Sequence, residues 1–189
     1  MFGTYLKLGI DHILDVQGYD HILFIVALCA VYLIGEWKKV LVLATAFTIG
    51  HSLTLGLSAL DMIHFSSKLI EILIPVTIIL TAITNMVRQS KNAAFKTWHY
   101  FLPLVFGLIH GMGFSTFFRA LMGSSSEVIM PLFAFNVGVE LGQIVIIVIT
   151  MLLSYILVEK LGLKRKLWNY GISAIAIVVS LYLIYEKVA

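Results

Sequence analysis

Six long apolar runs, at about 19–35, 39–60, 67–87, 98–121, 129–158 and 168–186, are separated by short connections that hold most of the charge. A helix needs about 20 largely apolar residues to cross a ~30 Å hydrocarbon core. Membrane-barrel strands instead alternate in polarity over ~10 residues, and these runs are continuous. The pattern predicts an all-α membrane protein with six transmembrane helices, one polytopic domain over residues 1–189. Residues 1–17 mix Leu6, Ile10, Ile13 and Leu14 with Lys7, Asp11 and Asp15. That predicts a short amphipathic segment on the membrane interface, broken from the first run by Gly18.

Composition narrows the class. The chain is 60% apolar and 12% charged, against roughly 45–50% and about 25% in ordinary globular proteins, so a soluble domain is excluded. The net charge of +3 does not point to nucleic acid, because the basic residues lie between apolar runs and set orientation there. Lys38, Lys39, Arg88, Lys91, Lys96, Lys160, Lys164, Arg165 and Lys166 follow the first, third and fifth runs. Only Lys7, Lys68, Arg119 and Lys187 fall on the other side. Nine against four predicts that those three loops are cytoplasmic and both termini outside. The lone Cys29 gives neither a disulfide framework nor a paired-thiolate metal site. The first run lacks a small-residue cleavage site and is expected to stay in the mature chain.

Ionisable side chains inside a span cost about 2.5–3.5 kcal/mol each on insertion scales, so each is a functional candidate. At ~1.5 Å per residue, His51, His110 and Glu140 come out near the midplane. Asp20, His21 and Glu71 come out nearer the outer surface. Two tiers of ligand-type groups are expected, one above the other. Imidazole with carboxylate suits a divalent transition metal such as nickel, cobalt or zinc. Neither a phosphate-binding GxxxxGK[ST] loop nor a GxSxG nucleophile elbow occurs.

Small residues recur every four positions at Ala46, Gly50, Thr54 and Ser58, at Gly107, Gly111 and Ser115, and at Ala134, Gly138 and Gly142. This spacing lets membrane helices approach closely. Asn136 and Gln143 share a face with Glu140 and are expected to orient it, with Ser52 beside His51 as a further supporting group. Pro75 frees the carbonyl of Glu71. His64 and His99 read as structural, in a loop and an aromatic belt respectively. His12 either caps the site from the N-terminal segment or faces solvent.

Several blocks together resemble the HupE/UreJ family. They are Gly9-Ile10-x-His12, Gly18-x-Asp20-His21-x-Leu23-Phe24, Phe47-Thr48-x-x-His51-Ser52, Phe106-Gly107-Leu108-x-His110-Gly111 and Phe135-Asn136-x-Gly138-Val139-Glu140-x-Gly142-Gln143. The resemblance spans about 9–143 and implies a bacterial inner-membrane permease for nickel or cobalt with six helices. It also implies metal capture by His12, Asp20 and His21. Ile13 follows His12 where the family typically has proline.

Two functions lead at this level, with a metal-binding accessory subunit of a larger complex as a third. One is a permease whose ligands are Asp20, His21, His51, His110 and Glu140, with His12 and Glu71. The other is an intramembrane zinc-dependent hydrolase in which the same cluster holds the metal and a carboxylate serves as general base. In both, the partners are a metal ion and the lipid bilayer, with a homo-oligomer left open.

Overall fold

The structure, a computed structural model, describes residues 2–63, 65–91, 98–122 and 128–189. His64 and Lys96 lie outside the described residues, as do the side chains of Lys91 and His99. Among the described residues there are seven α-helices and no strand: α1 Phe2–Leu14, α2 Asp20–Cys29, α3 Trp37–Ala59, α4 Ser67–Lys91, α5 Trp98–Met122, α6 Ile129–Ser154 and α7 Arg165–Val188. A π-helical turn, Tyr155–Lys160, extends α6. The five helices α3 to α7 are long and apolar enough to cross a membrane. The chain is therefore a multi-pass membrane protein.

The first apolar run departs from expectation. It is α-helical only over the ten residues of α2, about 15 Å at ~1.5 Å per residue. Ala30, Val31 and Tyr32 continue it as buried, non-helical chain, and a 3-10 turn, Ile34–Glu36, leads into α3. Irregular backbone at membrane depth is tolerated only where protein groups satisfy it. Asn85 Nδ2 donates to the Ala27 carbonyl at 2.6 Å, and Arg165 Nη2 donates to the Val31 carbonyl at 2.6 Å. Arg165 is held in turn by the Glu36 carboxylate at 3.0 Å. Arg165 and Glu36 were legible in the sequence only as loop charges.

Inter-helix contacts fix relative directions. Asn85 sits over Ala27 and Arg88 over Tyr32, so α2 runs with α4. Lys187 meets Glu71 while Asn169 meets Asn85, so α7 runs against α4. Helices α3 and α5 are parallel, with Gly50 against Leu104 and Gly111 against His51. Helices α1 and α6 are parallel too, with Gly138 against Leu6 and Gly142 against Ile13.

Segment 1–17 is helical over Phe2–Leu14. Its apolar face, with Gly9 and Ile13 buried, lies against α6 rather than against lipid headgroups. Lys7 and Asp11 pair on its exposed side. An amphipathic helix buries its apolar stripe on whatever fits it, and here the small residues of α6 offer backbone contact that lipid cannot match.

Both parallel pairs touch through glycine. A β-carbon on Gly9 would stand 2.0 Å from the Phe135 carbonyl oxygen, and one on Gly138 would stand 2.1 Å from that of Leu6. In the other pair, a β-carbon on Gly50 would stand 2.1 Å from the Leu104 oxygen and one on Gly107 would stand 2.0 Å from that of Phe47. Each glycine rests on the carbonyl three residues before its partner glycine and on the amide nitrogen one residue after it. The two crossings are thus internally reciprocal and match each other. Backbones this close gain dispersion and Cα–H···O contacts that any side chain would abolish.

Candidate metal site

The two crossings and the first turn of α2 bring four histidines together. His21 lies at the centre, with ring centroids 4.5 Å from His12, 6.2 Å from His51 and 5.3 Å from His110. Ligand nitrogens of His12, His21 and His51 all lie within 4.8 Å of one another. Helix α1 reaches this level in its last turn and α2 begins at it, so the chain is interrupted where the histidines converge. The carbonyl end of α1 turns negative partial charge toward the cluster, and Asp20 offsets the positive end of α2.

Two hydrogen bonds settle which nitrogens are offered. Asp20 Oδ1 lies 3.0 Å from His21 Nδ1 and accepts the His21 backbone N–H at 2.8 Å. His110 Nδ1 donates to the Phe106 carbonyl at 2.9 Å. In each ring the proton is therefore on Nδ1 and the bare lone pair on Nε2. His51 is fully buried between the rings of Phe47 and Phe135, stacked at 6.1 and 6.3 Å. Phe24 packs on His110 and Phe114 on His12.

Inside this apolar box, His12 Nε2, His21 Nε2, both nitrogens of His51 and His110 Nε2 have no protein partner. A buried polar atom left unsatisfied costs about 1–3 kcal/mol. Five of them would rival a whole folding margin of about 5–15 kcal/mol. Their partner must come from outside the chain, and the ligand nitrogens of His12, His21 and His51, set together among phenylalanine rings, fit a cation. Zn–N bonds of about 2.0–2.1 Å would put tetrahedral ligand atoms about 3.3 Å apart, inside the 4.8 Å that bounds the separations here.

The remaining sequence candidates lie elsewhere. The Glu140 carboxylate accepts from Thr45 Oγ1 at 2.6 Å on an exposed edge of the α3–α6 seam. The amides expected to orient it are engaged differently. Asn136 Nδ2 donates to the Leu132 carbonyl at 2.8 Å, and Gln143 Oε1 accepts from Thr48 at 2.9 Å. Ser52 donates back to the Thr48 carbonyl at 2.6 Å. Glu71 pairs with Lys187 at 3.1 Å, both side chains partly exposed. The two tiers expected from depth become one histidine cluster, with His21 level with His51 and His110 and the glutamates outside it. His12, left open by the sequence, joins the cluster. A signal for it was present: Gly9-x-x-His12 repeats Gly107-x-x-His110, and both glycines are crossing points.

Fold and site together define a polytopic membrane protein with a histidine cluster buried among its helices. A family model described as HupE / UreJ protein matches residues 1–186, and the chain belongs to the HupE/UreJ family. No curated protein and no solved structure matched the chain.

Proposed function

We propose that this chain is a permease for a divalent transition metal of the nickel or cobalt type in the bacterial inner membrane, working as one polytopic unit. The ion is its cargo. His12, His21, His51 and His110 are the ligands, and Asp20 is a positioning residue that holds the His21 tautomer. The observation that carries this reading is the convergence of His12, His21 and His51, each with an unpartnered ring nitrogen, beside His110 inside the helices of a HupE/UreJ family member. Neutral imidazoles bind nickel, cobalt or zinc well and put no carboxylate among the ligands themselves, which suits a site that must release its cargo.

In this reading α1 and α2 together make the first of six crossings, interrupted at the ligands, and both termini lie outside. Helix α5 runs against α4, with Gly113 beside Ile74 and Phe106 beside Asn85, and α6 runs against α3, with Gly56 beside Leu132 and Thr45 bonded to Glu140. The equal direction of α1, α2, α4 and α6 and the opposite direction of α3, α5 and α7 thus support that count. The nine-to-four distribution of basic residues supports the orientation. Binding at a helix interruption near the midplane is common in transporters. A zinc hydrolase would need a carboxylate free to act as base beside the ion. Asp20 Oδ1 is engaged by His21, and Glu71 and Glu140 are paired elsewhere.

The test is uptake of nickel or cobalt into proteoliposomes holding the purified full chain. Uptake above protein-free vesicles, lost in His51→Ala and His21→Ala, is the expected result. Stoichiometric metal that binds and never crosses the bilayer would sink the transport reading.

A further inference from the structure

We propose that the cleft between the 17–20 turn, α4 and the end of α7 is the entrance through which the cation reaches the histidines, and that the Glu71–Lys187 pair is its charge gate. This rests on the permease reading for its direction and on the histidine cluster for its destination. The cleft encloses about 210 Å³ and is lined by Gln17, Asp20, Glu71, Pro75 and Lys187 among others. It lies on the side of the molecule where α4 begins and α7 ends.

Asp20 makes the connection. Asp20 lines the cleft, its side chain is partly exposed, and its carboxylate bonds the His21 ring, whose other nitrogen has no partner. Cleft and cluster are thus separated by a single Asp–His pair. A cation attracted to the Asp20 carboxylate stands one imidazole away from its ligands, and rotation of that ring would hand it inward.

Glu71 and Lys187 set the charge of the mouth. With Asp20 the cleft carries two carboxylates and one ammonium, a net negative charge that concentrates cations at a low-dielectric wall. The Lys187 ammonium lies 3.1 Å from Glu71, and both side chains are more than 40% exposed, 42% and 46% respectively. An ion pair so exposed is weak and opens readily. A divalent cation therefore competes with Lys187 for Glu71. The ammonium keeps monovalent ions from a carboxylate that a doubly charged ion can win.

Cobalt loading of the purified full chain, followed by stopped-flow absorbance in detergent, tests the entrance without requiring transport. A Gln17→Cys variant is labelled with a bulky maleimide; the native Cys29 is buried and spared. Labelling at 17 is expected to slow loading at least about tenfold, while the same label on Lys7→Cys, on the exposed side of α1, leaves it unchanged. Lys187→Met is expected to speed loading and Glu71→Gln to slow it, each about three- to tenfold, with both effects shrinking as salt rises. Unaltered loading in the labelled Gln17→Cys protein, with cobalt still bound, would overturn the entrance and leave the histidine site standing. Equal rates in Lys187→Met, Glu71→Gln and the parent would overturn the gate. Failure of the unmodified chain to bind cobalt at all would overturn the histidine site and the entrance with it.

Discussion

In the α3–α5 crossing both helices lend a histidine, His51 one residue after Gly50 and His110 three residues after Gly107. In the α1–α6 crossing only α1 does, with His12 three residues after Gly9. On α6 the position after Gly138 is Val139, fully buried like His51, and the carboxylate of Glu140 comes one residue later. One residue turns a helix by about 100°, and Glu140 faces the exposed seam, as the equivalent Ser52 turns back to its own helix. The two crossings share a backbone and differ in chemistry. Close approach supplies the scaffold, and the phase of a side chain relative to the crossing glycine decides whether it enters the site.

The largest effect is expected from the scaffold. Gly107→Ala places a methyl 2.0 Å from the Phe47 carbonyl oxygen, a clash with backbone that cannot rotate away. We expect a loss of about 3 kcal/mol or more, at or beyond the upper end of overpacking costs, together with loss of metal binding, because His51 and His110 both separate. Gly9→Ala meets an equal clash yet frees only α1, so cobalt binding should weaken and persist. Gly171→Ala, with nothing within 4 Å, is the control and should shift thermal unfolding in detergent little. Equal loss of metal binding in Gly9→Ala and Gly107→Ala would erase the distinction between the crossings.

Next come the ligands. His51→Ala, which removes a fully buried ring, should lower cobalt affinity more than about 100-fold, exceeding the ~10–100-fold typical of outer-shell changes. Asp20→Asn should fall within that ~10–100-fold range, since it loosens the His21 tautomer without removing a ligand. Titration of both variants by calorimetry ranks them, and an Asp20→Asn effect as large as that of His51→Ala would make Asp20 a direct ligand. The smallest effect belongs to Glu140→Gln. It alters a hydrogen bond to Thr45 worth about 0.5–1.5 kcal/mol and should leave cobalt affinity within about twofold. Abolished binding in that variant would show that helical phase does not keep Glu140 out.

Much of this was legible along the chain. Continuous apolar runs require helices because a bilayer core cannot satisfy exposed backbone, and α3 to α7 lie close to the runs that announced them. Counting residues along a rigid helix also placed His51 and His110 at one depth, which their common packing around His21 bears out. The same count set Glu140 beside them, because it gives height and carries no azimuth. The short first helix was foreshadowed by Ile22–Gly35, too brief a run to cross at ~1.5 Å per residue. Its early end at Cys29 was hidden, since the groups that satisfy the freed carbonyls, Asn85 and Arg165, are 58 and 134 positions away.

The sequence by itself determined the five long helices α3 to α7, the small-residue stripes that invite close approach and the histidines His51 and His110 at shared depth, because hydrophobicity and helical period act locally. Only the tertiary structure decided that Gly138 meets α1 and Gly107 meets α3. From those pairings follow the entry of His12 into the cluster, the level of His21 and the outward turn of Glu140. A glycine can pair with any helix that presents a matching carbonyl, and which one it meets depends on every other contact in the bundle.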